Sequence, residues 1–400
     1  MRVLFLTHRL PYAADRGDRL RALQILRLLA SQHVDVDLLS LVHDQDERSH
    51  AADLHHLAGS VTVASVSRTR GYVRALAALP TKRPFTHAML DSPEVIAQCR
   101  SLVASSPPDV VLAYCSGMAR FALEEPLASI PFVLDMVDVD SEKWKALGRR
   151  SAAPSRWIYA AEGRRLSAFE ALAARRAERV LVVNERERAS VLRLEPDANV
   201  TVVQNGLALD VFRPHDPPSP EARVVFCGVM DYAPNAEAAV WFAQKVWPEV
   251  RRRCPGALFT VVGSGPTPAV RRLAADDPSI EVTGAVPDVR PYLWRAAVSV
   301  APLLVARGVQ NKVLEALGAG LPTVVTPAVH EGLPAEVLPG CTIAESASGF
   351  AEAVIALLGE PPADRRALAA RADLAGLGWD ERLGPLVQIL ADAARGRQRG

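Results

Sequence analysis

The feature that most limits what this chain can fold into is a repeated alternation. Short, unbroken apolar runs take turns with helix-period segments, once across the first half of the chain and again across the second. In the first half the runs are residues 2–7, 34–42, 61–66, 109–114, 132–138, 179–184 and 200–203. In the second half they are 223–229, 257–262, 280–283, 298–303, 323–326 and 341–344. Most are rich in Val, Leu and Ile and do not alternate with polar residues, as strands buried on both faces read. Helical segments between such strands, among them 18–31, 235–253 and 310–318, imply crossover connections and parallel sheets.

The alternation breaks once. Asn205-Gly206 is a turn signal, and four prolines fall in the nine residues 213–221. Proline fixes φ and removes a donor, so neither helix nor central strand continues there. At 400 residues the chain has room for two or three domains. The expected division is 1–205 as one doubly wound α/β domain, 206–222 as a linker and 223–377 as a second. The tail 363–399 reads as helical, and 378–400 is expected to pack back on the first domain. Ligands of such sheets bind at the carboxyl ends of the strands, and two facing domains would set those ends across a central cleft.

Composition narrows the function classes. Lys and Arg total 46 against 45 Asp and Glu, a balance unlike a dedicated nucleic-acid binder, so no nucleic acid is expected as a partner. The five cysteines are scattered with no CxxC spacing, which argues against a disulfide framework or zinc site and for a reducing compartment. No apolar run reaches the ~18–20 residues of a bilayer span, and the apolar stretch after Arg2 is too short for a signal sequence. The chain is expected to be cytoplasmic.

The segment Arg307-Gly-Val-Gln-Asn-Lys-Val-Leu-Glu-Ala-Leu-Gly-Ala-Gly320 is the strongest candidate for chemistry. A strand ends, a loop containing Gly308 follows, and a helix opens near Gln310 and Asn311. Free N–H groups at such an opening favour an anion such as a diphosphate. Lys312, a cation in the first turn, opposes the helix dipole and costs stability unless an anion lies nearby. Glu315, three residues on, shares its face, and a carboxylate can accept both hydroxyls of a ribose diol. The plainer alternative is a solvated i,i+3 Lys–Glu pair.

Other positions carry weaker signals. Gly263-Ser-Gly265 resembles a phosphate loop without its third glycine, and equally reads as a tight strand-to-helix turn. Gly17 opens the first helix amid Arg9, Arg16, Arg19 and Arg21, where backbone can approach a phosphate or a loop can simply be solvated. Asp135, Asp138 and Asp140 follow one another after residue 132. Alternation aims Asp138 outward at the strand end as a binder of an acceptor hydroxyl or a weak base, and Asp140 or Ser141 can cap the next helix. His8, just past the first strand, can bind phosphate, move a proton, or serve as a structural hydrogen-bonder. Residues 143–179 hold ten Lys/Arg against three Glu, interleaved with Trp144, Trp157, Tyr159 and Phe169. With the basic stretch 67–83 they are candidates for peripheral contact with an anionic membrane, as at the inner face of the cell membrane, or form a solvated helix pair with buried aromatics.

The order of these motifs resembles the family 4 retaining glycosyltransferases of GT-B fold. Val203-Gln-Asn-Gly-Leu207 with Phe212-Arg-Pro214 is similar to that family's interdomain signature. Val225-Phe-Cys-Gly228 through Pro234-Asn235, followed by Trp241-Phe242, is similar to the start of its second domain, and Phe259–Pro266 and Val282–Asp288 to its next strand ends. Thr7–Tyr12, Gly17–Arg21 and Asp135–Trp144 resemble the subgroup associated with bacterial exopolysaccharide and exosortase (PEP-CTERM) loci. The resemblance implies two Rossmann-like domains and transfer of a hexose, with retention, from a nucleotide diphosphate sugar to a hydroxyl of a glycan or lipid-linked glycan, with no metal or other cofactor. It places Glu315 on the ribose and Val286 beside the base pocket; from the residues themselves, Lys312 and Arg307 are the candidates for the leaving group, and Gly308, Gln310, Asn311, Gly17, Gly228, Gly263 and Gly265 for the donor's other surroundings. His8, Arg9, Arg19 and Asp138 fall on the acceptor side, Asp138 as a candidate catalytic group.

The sequence departs from the family in two places. The family has two glutamates separated by seven residues, and Arg307 stands where the first belongs. Arginine cannot accept a hydrogen bond, so recognition of the donor sugar must differ. The basic pair expected in the second domain's first loop is missing, since residues 229–235 hold no Lys or Arg. Two rivals share much of the pattern. A sugar-nucleotide epimerase would use the same nucleotide site without an acceptor, and a noncatalytic two-lobed binding protein would have similar domains.

Overall fold

The structure, a computed structural model, describes residues 1–12, 17–306 and 308–396. Two units emerge. One comprises Met1–Gln204 with the segment from Arg382 on, the other Asn205–Glu381.

In the first unit seven strands form one sheet in the order β3-β2-β1-β4-β5-β6-β7. They are β1 Arg2–Thr7, β2 Asp35–Val42, β3 Ser60–Ser65, β4 Val110–Tyr114, β5 Phe132–Val137, β6 Arg179–Val182 and β7 Val200–Val202. In the second, six strands run β10-β9-β8-β11-β12-β13. These are β8 Arg223–Cys227, β9 Leu258–Val262, β10 Ile280–Val282, β11 Val298–Ala301, β12 Thr323–Val325 and β13 Cys341–Ile343. Every pairing is parallel among the described residues. The apolar runs are strands for the expected reason, since β1, β4 and β8 are buried almost throughout.

Each sheet reverses its winding once, between β1 and β4 in the first unit and between β8 and β11 in the second. The loops leaving those strands diverge there and open a crevice for ligand. Both sheets are Rossmann-like, as the expected GT-B fold requires.

The expected helix 235–253 is in fact two, Ala233–Lys245 and Trp247–Arg253. Pro248 has no N–H to continue the ladder, and Val246, the residue between the two helices, has its φ stretched to −111°. The break seats Trp247 at the centre of the second unit among Phe242 and Phe259, with its indole N–H donating to Ser279 Oγ at 2.9 Å. The tail divides into Pro362–Ala369, Trp379–Leu383 and Pro385–Gly396. Its last helix lies on β4 and β5 of the first unit.

Residues 206–222 pack as part of the second unit. A Cβ on Gly206 would stand 2.5 Å from the Trp379 Cα, and Leu207 bridges to Gly378. Pro220-side backbone is tied in as well, with Ser219 Oγ donating to the Arg295 carbonyl. The Asn-Gly signal therefore marks a close backbone crossing rather than free chain.

Candidate functional site

The second unit carries the best-defined candidate site, at its winding reversal. After β8 the chain turns through Gly228–Tyr232 into helix Ala233–Lys245, and after β11 it leads to helix Asn311–Gly318. The second helix has Gln310 as its N-cap and buries Val313, Leu314, Ala316 and Leu317. That leaves Lys312 and Glu315 on the remaining face. Lys312 Nζ donates to Asn235 Oδ1 at 2.6 Å and lies 5.0 Å from the Phe226 ring centroid. Asn235 is fixed in turn, its amide donating to the Val229 carbonyl at 3.0 Å. A Cβ on Gly228 would come within 2.8 Å of Asn235 Nδ2 and 3.2 Å of Lys312 Nζ, so glycine is what lets the amine lie over this turn.

Lys312 and Glu315 do not form an ion pair, and the Glu315 carboxylate accepts no hydrogen bond from the described residues. The plain surface-pair alternative therefore fails. Burial is the leading influence on both groups. It brings Lys312 down to about 8, against the pull of neighbouring Cys227 and Glu315. It pushes Glu315 up to about 7, against the opposing charge of Lys312. The Cys227 thiol beneath them is pushed up to about 12, first by burial and then by Glu315. A partly desolvated ammonium without a carboxylate partner suits an incoming anion, and an unoccupied carboxylate beside it suits a diol.

The other expected donor residues have contacts of their own. Gly263, at φ +145°, brings its α-carbon so close to the Gly228 carbonyl that a Cβ would be 1.8 Å from the oxygen. Gly265, at φ +65°, lies against Asp231, and Met230 N–H donates to the Ser264 carbonyl. The Gly263-Ser-Gly265 turn thus braces the Gly228–Asp231 turn. Its two glycines are accounted for by that packing, as the tight-turn alternative expects. Gly308 has φ +65° and approaches Gly332 closely. The Asn311 side chain accepts from Asn205 Nδ2 at 3.1 Å, which ties the helix opening to the Asn-Gly turn. Val286 packs on the cluster containing Cys227 and Val262. Arg307 lies outside the described residues.

Asn235 was not singled out from the sequence. Its Pro-Asn setting near a helix start reads as local capping, and only the fold brings it to Lys312.

In the first unit the matching reversal lies at the ends of β1 and β4. His8 Nδ1 is 3.4 Å from Cys115 Sγ, and the His8 ring stacks on Tyr114 at 5.8 Å. Arg9 is partly exposed beside it, and its charge helps lower His43 after burial. Gly17 begins helix Gly17–Ser31, with residues 13–16 outside those described. The arginine cluster divides. Arg21 is fully buried, with a two-pronged bond to Asp135 at 2.9 and 3.2 Å. Arg19 is 7% exposed, bonded to Glu47 at 3.2 Å with its guanidinium over Tyr12. Glu47 also accepts from the Leu10 N–H, so Arg19 shapes the His8–Tyr12 loop from below rather than meeting acceptor directly.

The alternation behind the expected direction of Asp138 is interrupted. The β5–β6 register slips between Asp135 and Val137, and Val137 stands at φ +66°. The bulge breaks the alternation on which its direction was argued. Asp138 sits half-buried in the bend that follows. Cys115, at the end of neighbouring β4, is also left-handed at φ +69°. Strain in two adjacent non-glycine strand ends is the sort that ligand sites accumulate. The helix after Asp138 has Val139 at its N-cap position with no side-chain cap hydrogen bond, so neither Asp140 nor Ser141 is its cap. Asp140 instead accepts from Ser116 Oγ at 3.2 Å and Lys143 Nζ at 3.1 Å. Buried His87 reaches Ser116 Oγ at 3.4 Å and is brought down to about 3, chiefly by burial.

The basic stretch 143–179 forms two packed helices, Asp140–Arg150 and Ser155–Arg176. Trp144 meets Tyr159 between them, and Phe169 meets His87 edge-on, while Trp157 remains exposed. No helix among the described residues is long and apolar enough to cross a membrane.

Comparison with known proteins agrees with this architecture. Residues 17–206 match the family described as glycosyl transferase 4-like domain, and residues 221–360 match glycosyl transferases group 1. No curated protein sequence matches the chain. Among solved structures, sucrose-phosphate synthase from Thermosynechococcus elongatus is similar with a TM-score of 0.71 at 14% identity, covering 99% of this chain and 100% of its own. Anabaena HepE in complex with UDP and glucose gives 0.67 at 12%, covering 98% and 100%. An α,α-trehalose-phosphate synthase (UDP-forming) from Burkholderia vietnamiensis gives 0.66 at 14%, covering 98% and 100%.

Proposed function

The chain carries a glycosyltransferase 4-like domain and a group 1 glycosyltransferase domain, and we propose that it moves a hexose from a nucleoside diphosphate sugar to a hydroxyl acceptor. The observation that carries the reading is Lys312, held over Gly228 by Asn235 with no carboxylate partner. The anomeric C–O bond breaks only if the departing diphosphate is stabilised, and a fixed, partly desolvated cation does this without reorganising. Here the cation comes from the helix after β11, which answers the missing bases of the loop after β8. Arg307 adds a planar fork suited to phosphate. Backbone N–H groups at the opening of helix Asn311–Gly318 add their partial charge. Glu315 accepts the ribose hydroxyls, and Gly308, Gln310, Asn311, Gly228 and Val286 form the remaining donor surroundings. The protein's own cations suffice for the leaving group, so the reaction needs no metal ion.

The acceptor binds the first unit near His8, Arg9 and Asp138. It is a glycan or lipid-linked glycan of bacterial exopolysaccharide synthesis, used on the cytoplasmic side with peripheral contact to the membrane, and the anomeric configuration is retained as in family 4. UDP sugars are the first donors to try, because HepE, of similar fold, holds UDP and glucose. The test is a thermal-shift screen of nucleoside diphosphates and their sugars, since a ligand of the folded state raises apparent stability by mass action. Product analysis with the stabilising donor follows. Nucleoside diphosphate released only with acceptor supports transfer. An isomerised donor formed without acceptor would instead make the protein an epimerase.

A further inference from the structure

Away from both strand-end sites, the first unit has a helix whose polarity is reversed. Helix Arg68–Ala77 turns Gly71 against the Met89 backbone and donates from Arg74 to the Asp91 carbonyl. Its solvent side carries Tyr72, Val73 and Leu76, exposed by 62, 66 and 65%, and Leu79 continues the stripe. A helix on the surface of a soluble domain presents the opposite arrangement. Trp157 and Ile158, on helix Ser155–Arg176, are also mostly exposed. The two helices are tied together. Arg165 donates to the Leu79 carbonyl at 2.6 Å and covers the Phe85 ring at 4.1 Å, and Glu162 accepts from the Phe85 and Thr86 N–H groups.

Charge accompanies the apolar stripe. Between Ser67 and Leu90 there are five Lys or Arg and no Asp or Glu. At the edge of this face lies a cavity of about 340 Å³ lined by Lys82, Arg83, Arg120, Arg165, Phe169 and Leu172, among others. Arg83 and Arg120 are engaged by Asp91. Lys82 has no partner among the described residues, and Arg165 Nη1 is buried without an acceptor. Apolar side chains outside, cations at their border and an under-satisfied guanidinium in a pocket together match an anionic lipid bilayer, whose surface offers the same three layers in complementary form.

We propose that this face of the first unit docks on a bilayer rich in anionic phospholipid. The Tyr72–Leu79 stripe enters the boundary between headgroups and acyl chains, and a headgroup phosphate occupies the cavity between Lys82 and Arg165. This does not depend on the transfer reading. It sharpens membrane contact from a broad basic region to one helix, one cavity and one kind of lipid.

The test is flotation of the full chain with vesicles of phosphatidylcholine alone or mixed with phosphatidylglycerol. Binding to the anionic vesicles is expected to be stronger by about tenfold or more, weakening as salt is raised. Leu76→Glu should reduce it by about tenfold or more, because a charge is forced into the boundary. Lys82→Glu should reduce it by about fivefold or more per unit of charge reversed. Both side chains are exposed, so thermal melts should match the parent. Equal binding to the two vesicle types, binding to neither, or indifference to both substitutions would overturn the proposal. So would a lipid-free dimer abolished by Leu76→Glu without vesicle binding, which would assign the stripe to a second copy of the chain.

Discussion

The amine of Lys312 and the side-chain carbonyl of Asn235 meet at 2.6 Å, joining the helix after β11 to the helix after β8. The bond fixes a cation whose own helix end would repel it. Asn235→Ala leaves the cation present but unplaced. Turnover is expected to fall about tenfold, the loss of one charge-assisted hydrogen bond's worth of positioning. Asn235→Asp should move the basic limb of the pH–rate profile upward, because a carboxylate at that distance favours the charged amine. Steady-state kinetics across pH read both, and a merely structural Asn235 would leave the limb where it was.

Lys312→Met should separate stability from activity. The amine titrates near 8 in the folded chain against its ordinary 10.5. Between those values the unfolded chain binds more protons, so stability rises with pH through that window, and the charged amine is a burden at neutral pH. Removing it should stabilise the ligand-free protein by on the order of 1–2 kcal/mol, after allowance for the solvent it still meets. Turnover should fall by about a hundredfold or more. Denaturant unfolding and kinetics on one preparation test both halves.

Glu315 has the opposite linkage. Its folded value near 7 lies above the ordinary 4.5, so its contribution is fully present below 4.5 and is lost as pH rises through 7. Donor kcat/KM should therefore be bell-shaped, rising near pH 7 as the carboxylate forms and falling near 8 as Lys312 discharges. Glu315→Gln should remove the rising limb. It should also weaken a ribonucleotide by about tenfold and its 2′,3′-dideoxy analogue hardly at all, as measured by titration calorimetry.

Gly263→Ala tests the brace under the site. Its Cβ would meet the Gly228 carbonyl at 1.8 Å, from a backbone at φ +145°. Either the turn moves or the unit loosens, and a loss of about 3 kcal/mol or more is expected in denaturant unfolding. Gly256→Ala, with nothing near its Cβ, is the control and should change stability little.

Much of this architecture was legible in the residues. Among the described residues the thirteen strands stand where unbroken apolar runs predict them, and for the central strands burial on both faces leaves a signal that turns do not blur. Their ends are mostly shorter by one or two residues, as at Cys227 and Ala301, since the last apolar residues already belong to the loops. What escaped was set by tertiary packing. Period-two reasoning could not foresee the bulge before Val137, so alternation does not set the direction of Asp138. The basic cluster near Gly17 looked free for phosphate because a sequence does not reveal that Asp135 and Glu47 wait for Arg21 and Arg19. Gly263 could not be placed from the sequence because close approach to a ligand and close approach to another backbone demand the same residue.

Calorimetric binding of a nucleoside diphosphate and its parent nucleoside, to the native chain and to Lys312→Met, tests the central claim most directly. The account predicts that the native chain prefers the diphosphate by about a hundredfold and that the substitution shrinks the preference to a few fold with nucleoside affinity unchanged. An undiminished preference in Lys312→Met would contradict it.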